Sequence, residues 1–242
     1  MTIPTVTPRP ARAELPLDAR RAVLRASPIF AVLQESELQA LLGHAVTRTF
    51  ARGAAILRRG DRGRGMLVVL RGRVRVSTML EDGREMTLSV VGPGDSLGEM
   101  SLLDGEERSA DATALEDCAA LVIDRAEFLR LLRASPDLCL RLIETLSRRL
   151  RATNAAMTDI ALLDLPTRLG KVLLRLARDY GAQRPGGLRI ELKLSQKDLS
   201  TLVGGSREKV NRTLRRWEDD GVIAKDGGYL VIRKPEALAA ES

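Results

Sequence analysis

Residues 92–110, Gly-Pro-Gly-Asp-Ser-Leu-Gly-Glu-Met-Ser-Leu-Leu-Asp-Gly-Glu-Glu-Arg-Ser-Ala, gather the side chains of this sequence that are best suited to holding a small anion. Glycines allow the backbone to approach a phosphate closely, and unpaired N–H groups can cradle it. Arg108 is the only basic residue in the stretch, and Ser109 beside it adds a hydroxyl donor. Charge-assisted bonds from a guanidinium are among the stronger polar contacts a protein makes. Gly98 and Glu99 stand ten and nine residues before Arg108. The Glu99 carboxylate accepts hydrogen bonds, so it suits a sugar hydroxyl rather than the phosphate.

A second cluster lies near the C-terminus. Ser195-Gln196-Lys197-Asp198 has the form of a capping box, in which each end satisfies an orphan backbone donor. A short helix with Leu199, Leu202 and Val203 inward follows, and Gly204-Gly205 ends it. Ser206 caps the next helix, which runs through Trp217. Two short helices joined by a glycine turn make a helix-turn-helix. The second is two-faced: Val210, Leu214 and Trp217 on one side, Glu208, Asn211, Arg212 and Arg215 on the other, with Arg207 on the flank. Such a face reads base edges, since Arg pairs with guanine and Glu accepts from cytosine. The segment Gly221–Ile232, GVIAKDGGYLVI, supplies a strand-turn-strand wing.

These clusters need a scaffold, and 242 residues suggest two domains. Apolar residues at 44% are enough for packed cores, and aromatics at 2% make those cores aliphatic and argue against binding single strands by base stacking. Residues 17–43 read as helical, with Leu33, Leu38, Leu41 and Leu42 at helical spacing. From 45 to 125, short runs of β-formers punctuated by glycine imply a β-roll, with Glu81-Asp82-Gly83 as a hairpin turn. Ala126–Arg133 reads as a short helix, and a long helix is expected from Pro136 to Leu163. Its stripe of Cys139, Leu142, Leu146, Leu150, Thr153, Met157 and Ile160 approximates a coiled-coil seam, the other reading being an ordinary helix packed on its own domain. Asp164 and Pro166 mark a helix restart, so the hinge is placed at Leu163–Leu165, and GAQRPGG (181–187) reads as a loop. The fold class is therefore α+β. The divisions are 1–26, a flexible arm and the start of the first helix; 27–134, a β-roll; 135–163, a dimerisation helix; and 164–242, a winged helix-turn-helix.

The net charge is +7, of which +5 lies in residues 164–242. That bias points to an anionic partner for the C-terminal third. Cys118 and Cys139 show no metal-ligand spacing and read as buried free thiols, so no metal is expected. The N-terminus does not resemble a signal peptide and no apolar run approaches membrane length, so the expectation is a cytoplasmic chain with no membrane partner.

The spacing G-E-x-x-L-x-x-x-x-x-R-S-A at 98–110 resembles the phosphate-binding cassette of the cyclic-AMP receptor protein family, and the likeness extends over about residues 27–234. The resemblance implies a β-roll, a long dimer helix and a winged helix-turn-helix, in the order read above. It implies cyclic AMP as effector, with cyclic GMP the weaker candidate. Gly98 and Glu99 would meet the phosphate and ribose, with Glu99 on the 2′-hydroxyl, and Arg108 and Ser109 the phosphate. Thr153 would face the adenine of its own subunit and Asn154 that of the partner; Asn154 departs from the family's usual Ser. Ser206-Arg207-Glu208-Lys209-Val210-Asn211-Arg212 is similar to the family's SRETVGR, which puts base reading on Arg207, Glu208 and Arg212. A homodimer would then read palindromes resembling TGTGA-N6-TCACA in double-stranded DNA, with RNA polymerase as a further partner.

Three rivals differ from this reading. A haem or redox sensor of the same fold lacks support, since the chain has one histidine, His44, and no cysteine cluster. A regulatory subunit of an enzyme would need a catalytic constellation that the C-terminal third does not display. A ligand-independent DNA-binding regulator of the same fold remains open, because a cassette indicates binding capacity and not coupling.

Overall fold

The computed structural model describes residues 15–240; the expected N-terminal arm lies almost wholly outside them. The chain is α+β and divides into two compact units, one of residues 15–78 and 88–151 and the other of 79–87 and 152–240, so that one boundary falls within a long helix.

The helical reading of 17–43 needs correction. Two helices form, α1 (Leu17–Ala26) and α2 (Glu35–His44), separated by a 3-10 turn at Phe30–Val32. Pro28 explains the break: the residue before a proline is driven out of the helical region, and Ser27 is extended at ψ 134°. Strands β1 (Val46–Phe50), β2 (Ala55–Leu57), β3 (Gly65–Arg71), β4 (Val74–Met79), β5 (Glu85–Val91) and β6 (Ser96–Leu97) follow. Then come the one-turn helix α3 (Met100–Leu103), β7 (Asp111–Ala114), β8 (Cys118–Asp124) and α4 (Arg125–Ala134). Gly83, at φ +78°, turns the expected hairpin, and its N–H donates to the Leu80 carbonyl.

The strands form two four-stranded sheets, β1-β8-β3-β6 and β2-β7-β4-β5. Strand β3 is apolar over residues 66–70 because both of its faces are buried. Leu67 and Val69 join the cluster between the sheets with Val74, Leu97, Ala112 and Ala114. Met66, Val68 and Leu70 point the other way, into a helix-backed core with Leu24, Phe30, Leu41, Phe128, Leu131, Leu138 and Leu142. Cys118 is buried, whereas Cys139 is only half-buried.

Helix α5 (Pro136–Leu162) matches the expected long helix, but its apolar stripe divides. Leu142 is buried and Leu146 packs partly against the helix-backed core, so these belong to their own domain. Leu150 and Met157 are each 61% exposed. Four of the six large apolar residues exposed on α5 share another line, which leaves out Ile160 and Leu162. Leu140, Ile143, Leu150 and Met157, with Ser147, Asn154 and Ala161 between or after them, alternate at three and four residues. That spacing has the three-four alternation of a heptad, with Asn154 in line.

Helix α6 (Leu165–Tyr180) begins at Asp164, whose side chain accepts from the Thr167 backbone N–H at 3.0 Å. Most of the expected loop at 181–187 is strand: β9 (Gly181–Arg184) and β10 (Gly187–Ile190) form a hairpin. Its first strand, Gly-Ala-Gln-Arg, is largely exposed and carries no apolar alternation to announce it. Helices α7 (Gln196–Val203) and α8 (Arg207–Asp219) precede β11 (Ile223–Asp226), β12 (Tyr229–Ile232) and α9 (Pro235–Ala240). The wing strands join the hairpin in one sheet, β11-β12-β10-β9. Gly170 lets α6 meet α9, since a Cβ there would lie 2.8 Å from the Leu238 carbonyl oxygen. Among the described residues no helix is long and apolar enough to cross a membrane.

Candidate functional site

The cassette is built where β6 runs into α3 and where the chain returns toward β7. Gly98, at φ +82°, makes the turn after β6, and a Cβ there would collide with the Arg108 guanidinium. Gly63 is as constrained, because its Cβ would run into the Ser101 hydroxyl. Two glycines 35 residues apart thus make room for one arginine.

Arg108 is 7% exposed. Its guanidinium donates to the carbonyls of Gly98 and Gly65 and, at 2.7 Å, to Ser101 Oγ. Burial pushes its pKa below the ordinary value, and the Glu99 and Asp61 carboxylates pull it back. An arginine starts so high that it stays charged at neutral pH. Three of its five N–H groups are thus engaged.

Glu99 is 2% exposed, and sequence reading alone missed its partner. Arg149, on α5, donates to Glu99 Oε1 at 2.5 Å and to the Ser96 carbonyl at 2.5 Å. The other oxygen, Glu99 Oε2, is buried and has no hydrogen-bond partner. Buried carboxylate oxygens are seldom left so, because an unpartnered one carries the desolvation cost of its charge. A hydrogen-bond donor is the complement it lacks. The one available signal for Arg149 was its place one helical turn before Thr153, on the helix already singled out.

Of the residues expected at the ligand, the fold brings Gly98, Glu99 and Arg108 together with Ser96, Ser101 and Arg149. Ser109 follows Arg108 directly and is exposed. Thr153 and Asn154 lie exposed on α5. His44 is exposed at the end of α2, its Nδ1 2.8 Å from the Ala40 carbonyl, and the described residues hold no cluster with metal-ligand composition.

The helix-turn-helix forms as its local signals require. Ser195 and Asp198 make the capping box. Gly204, at φ +62°, ends α7 in the left-handed conformation. Ser206 Oγ accepts from the Lys209 backbone N–H at 3.3 Å, so this hydroxyl serves as the α8 cap. Val210, Leu214 and Trp217 are buried. Arg207, Glu208, Arg212 and Arg215 are exposed, and Asn211 is half-buried. Glu208, Asn211, Arg212 and Arg215 line one surface groove with Arg216, Asp219 and Asp220. Gln196, absent from the expected site, donates from Nε2 to Asn211 Oδ1 at 2.7 Å.

Comparison with known proteins follows the same two-part order. Residues 47–135 match the cyclic nucleotide-binding domain, and residues 167–241 match the Crp-like helix-turn-helix domain. The chain is 33% identical to the CRP-like cAMP-activated global transcriptional regulator of Mycobacterium tuberculosis over 217 residues, 90% of this chain and 97% of that one. It is 33% identical to the cyclic AMP receptor protein of Thermus thermophilus, over 89% of this chain and 96% of that one. Among solved structures, the c-di-GMP-responsive global regulator CLP of Xanthomonas campestris superposes with a TM-score of 0.73 at 26% identity, covering 82% of this chain and 99% of that one. With a cyclic nucleotide-binding domain ahead of a DNA-binding helix-turn-helix, the chain belongs to the cyclic-AMP receptor protein family of transcription regulators.

Proposed function

We propose that the chain is a homodimeric transcription regulator switched by cyclic AMP. The observation that carries the ligand assignment is Glu99 Oε2, a buried carboxylate oxygen without a partner, in the same cassette as a buried arginine. A ribose 2′-hydroxyl would complete Glu99, and the cyclic phosphate would take donors from Arg108 and Ser109, with the Gly98 turn giving it room. Arg108 holds Gly98, Gly65 and Ser101. Phosphate binding therefore draws on its remaining N–H groups or redirects bonds that now stabilise the cassette, which links ligand to local structure. Arg149 holds Glu99 from α5, so occupancy of the cassette is communicated to that helix. The chain's residues bind and orient; no catalytic step is part of the reading.

The exposed line through Leu140, Ile143, Leu150 and Met157 supports pairing with a second copy. Asn154 lies on that line, where a residue faces the partner subunit, in keeping with contact to the partner's adenine. Thr153 would meet the adenine of its own subunit. Two copies of α8 then present Arg207, Glu208 and Arg212 to the half-sites of a palindrome such as TGTGA-N6-TCACA, and the Leu163–Leu165 segment acts as the hinge that sets their spacing. Cytoplasmic action and contact with RNA polymerase follow from the same reading.

The test is a pair of affinity ratios. Calorimetric titration with cyclic AMP, cyclic GMP and cyclic di-GMP identifies the ligand, and cyclic AMP is expected to bind tightest. Operator affinity is then measured with and without it, and nucleotide affinity with and without operator. Coupling is reciprocal, so both ratios should be equal and well above one. Ratios of one would leave a DNA binder that holds a nucleotide without responding to it.

A further inference from the structure

Asn211 occupies the fifth position of α8, among side chains that the proposed function assigns to DNA, and the inference drawn from it rests on that reading. A free asparagine presents one acceptor and a donor pair, the combination that recognises the N6 and N7 edge of adenine. Asn211 is not free. Gln196 Nε2 donates to its Oδ1 at 2.7 Å, while no protein partner is recorded for its Nδ2 among the described residues. The carbonyl is held toward Gln196 with one of its two lone pairs engaged, which leaves the Nδ2 donors as the free end of the side chain. Outward donors suit an acceptor; guanine N7 and O6 and a DNA phosphate all qualify, and position selects the phosphate.

Position agrees with chemistry. Gln196 is the first residue of α7, the helix that crosses the DNA backbone when its partner helix enters the major groove. Asn211 is half-buried against that end, set back from the exposed Arg207, Glu208 and Arg212. We infer that Asn211 is a phosphate-contacting residue and not a base reader, and that Gln196 is the positioning residue that makes it so by holding its carbonyl. Asn211 thus strengthens binding to every sequence, while Arg207, Glu208 and Arg212 choose among them.

The experiment uses full-length protein at saturating cyclic AMP and a pool of short duplexes randomised at their centres, with affinities then measured on selected and unselected sequences. Asn211→Ala should weaken binding about three- to tenfold per half-site, alike on all sequences, with unchanged base preference. The slope of affinity against salt should hold, since a neutral donor displaces no counterion. Asn211→Asp keeps an acceptor for Gln196 but faces the phosphate with a charge, and should fall further. Gln196→Ala should lose part of the same affinity, and the double variant Gln196→Ala/Asn211→Ala should bind no worse than Asn211→Ala. Thermal melting identifies any variant that fails to fold, and the other two then carry the test. A base preference altered by Asn211→Ala, an unchanged affinity, or additive losses in the double variant would overturn the inference. Failure of the wild type to select any sequence would instead remove the DNA-reading premise, a result readily told apart from these.

Discussion

In the cassette, Glu99 and Arg108 are 2% and 7% exposed, and the bonds they make are directed at Gly98, Gly65, Ser101 and Arg149. On α8, Arg207, Glu208, Arg212 and Arg215 are exposed, and no hydrogen bond or ion pair of their side chains is recorded among the described residues. The two regions hold charge in opposite ways. A buried charge network is strong but all-or-none, because removing one member strands the others. An exposed charged face is permissive and sensitive to salt, and its members act nearly one by one. Ligand binding should therefore hinge on single residues, whereas DNA binding should degrade by degrees.

The largest effect is expected where both regions depend on one element. Ile143→Glu with Leu150→Glu would set charges facing one another along the exposed line of α5. Light scattering should report monomers, with palindrome affinity falling by orders of magnitude since two linked half-sites become one. A wild type that is monomeric at micromolar concentration would refute the seam. Leu146 is excluded from the design because it packs partly into its own core, where a charge would damage folding and confuse the result.

Next in size comes Arg108→Ala. The phosphate would lose its charged partner, and charge-assisted bonds contribute about 1.5–3 kcal/mol each. Nucleotide affinity should fall at least about tenfold in calorimetry. Unchanged affinity would place the ligand elsewhere. Because the network is buried, Arg149→Ala should also weaken nucleotide binding, although Arg149 lies on another element. No such remote dependence is expected for Arg207, Glu208 or Arg212 on α8, which sharpens the contrast.

Smaller still, Arg207→Ala should cost about 1–3 kcal/mol per half-site and relax preference at one guanine. Measured across single-base operator variants, the loss should be concentrated at that position. A uniform loss would make Arg207 a phosphate contact and leave the specificity to Glu208 and Arg212.

The same contrast governs what could be read from sequence. The α8 face was legible because its determinants are local: caps at Ser195 and Ser206, a left-handed Gly204, and apolar residues at Val210, Leu214 and Trp217 on one side of a single helix. The cassette motif was legible as a string, but its wiring was not. Arg149 reaches Glu99 across 50 residues, and Gly63 clears Ser101 across 38. No local period encodes either meeting. The α5 stripe shows the limit of periodicity itself. Cys139, Leu142 and Leu146 sit at helical spacing with Leu150, yet the protein's own core claims part of that set and the next heptad line stays exposed. A pattern reports that a face is apolar, not what covers it. Strand β9 failed differently, as an exposed edge strand with no apolar alternation to read.

The smallest effect lies in neither region and serves as their control. Asp164 caps α6 at the proposed hinge, and the Thr167 side chain and backbone N–H, which hydrogen-bond its carboxylate, hold its pKa below the usual range. A carboxyl whose pKa is depressed on folding stabilises the protein above its unfolded value, about 4, and that contribution is lost as pH falls through the lower folded value. Asp164→Ala should therefore lower Tm at neutral pH, with the gap from wild type closing as pH drops below about 4. Asp164→Asn keeps a capping oxygen and should recover much of the loss at neutral pH without the acid dependence. Nucleotide affinity should be unchanged in both variants, because Asp164 bonds to no cassette residue. A gap that stayed constant from neutral pH to strong acid would show that the cap acts through its shape and not its charge, and a fall in nucleotide affinity would show that the hinge feeds back on the cassette without DNA present.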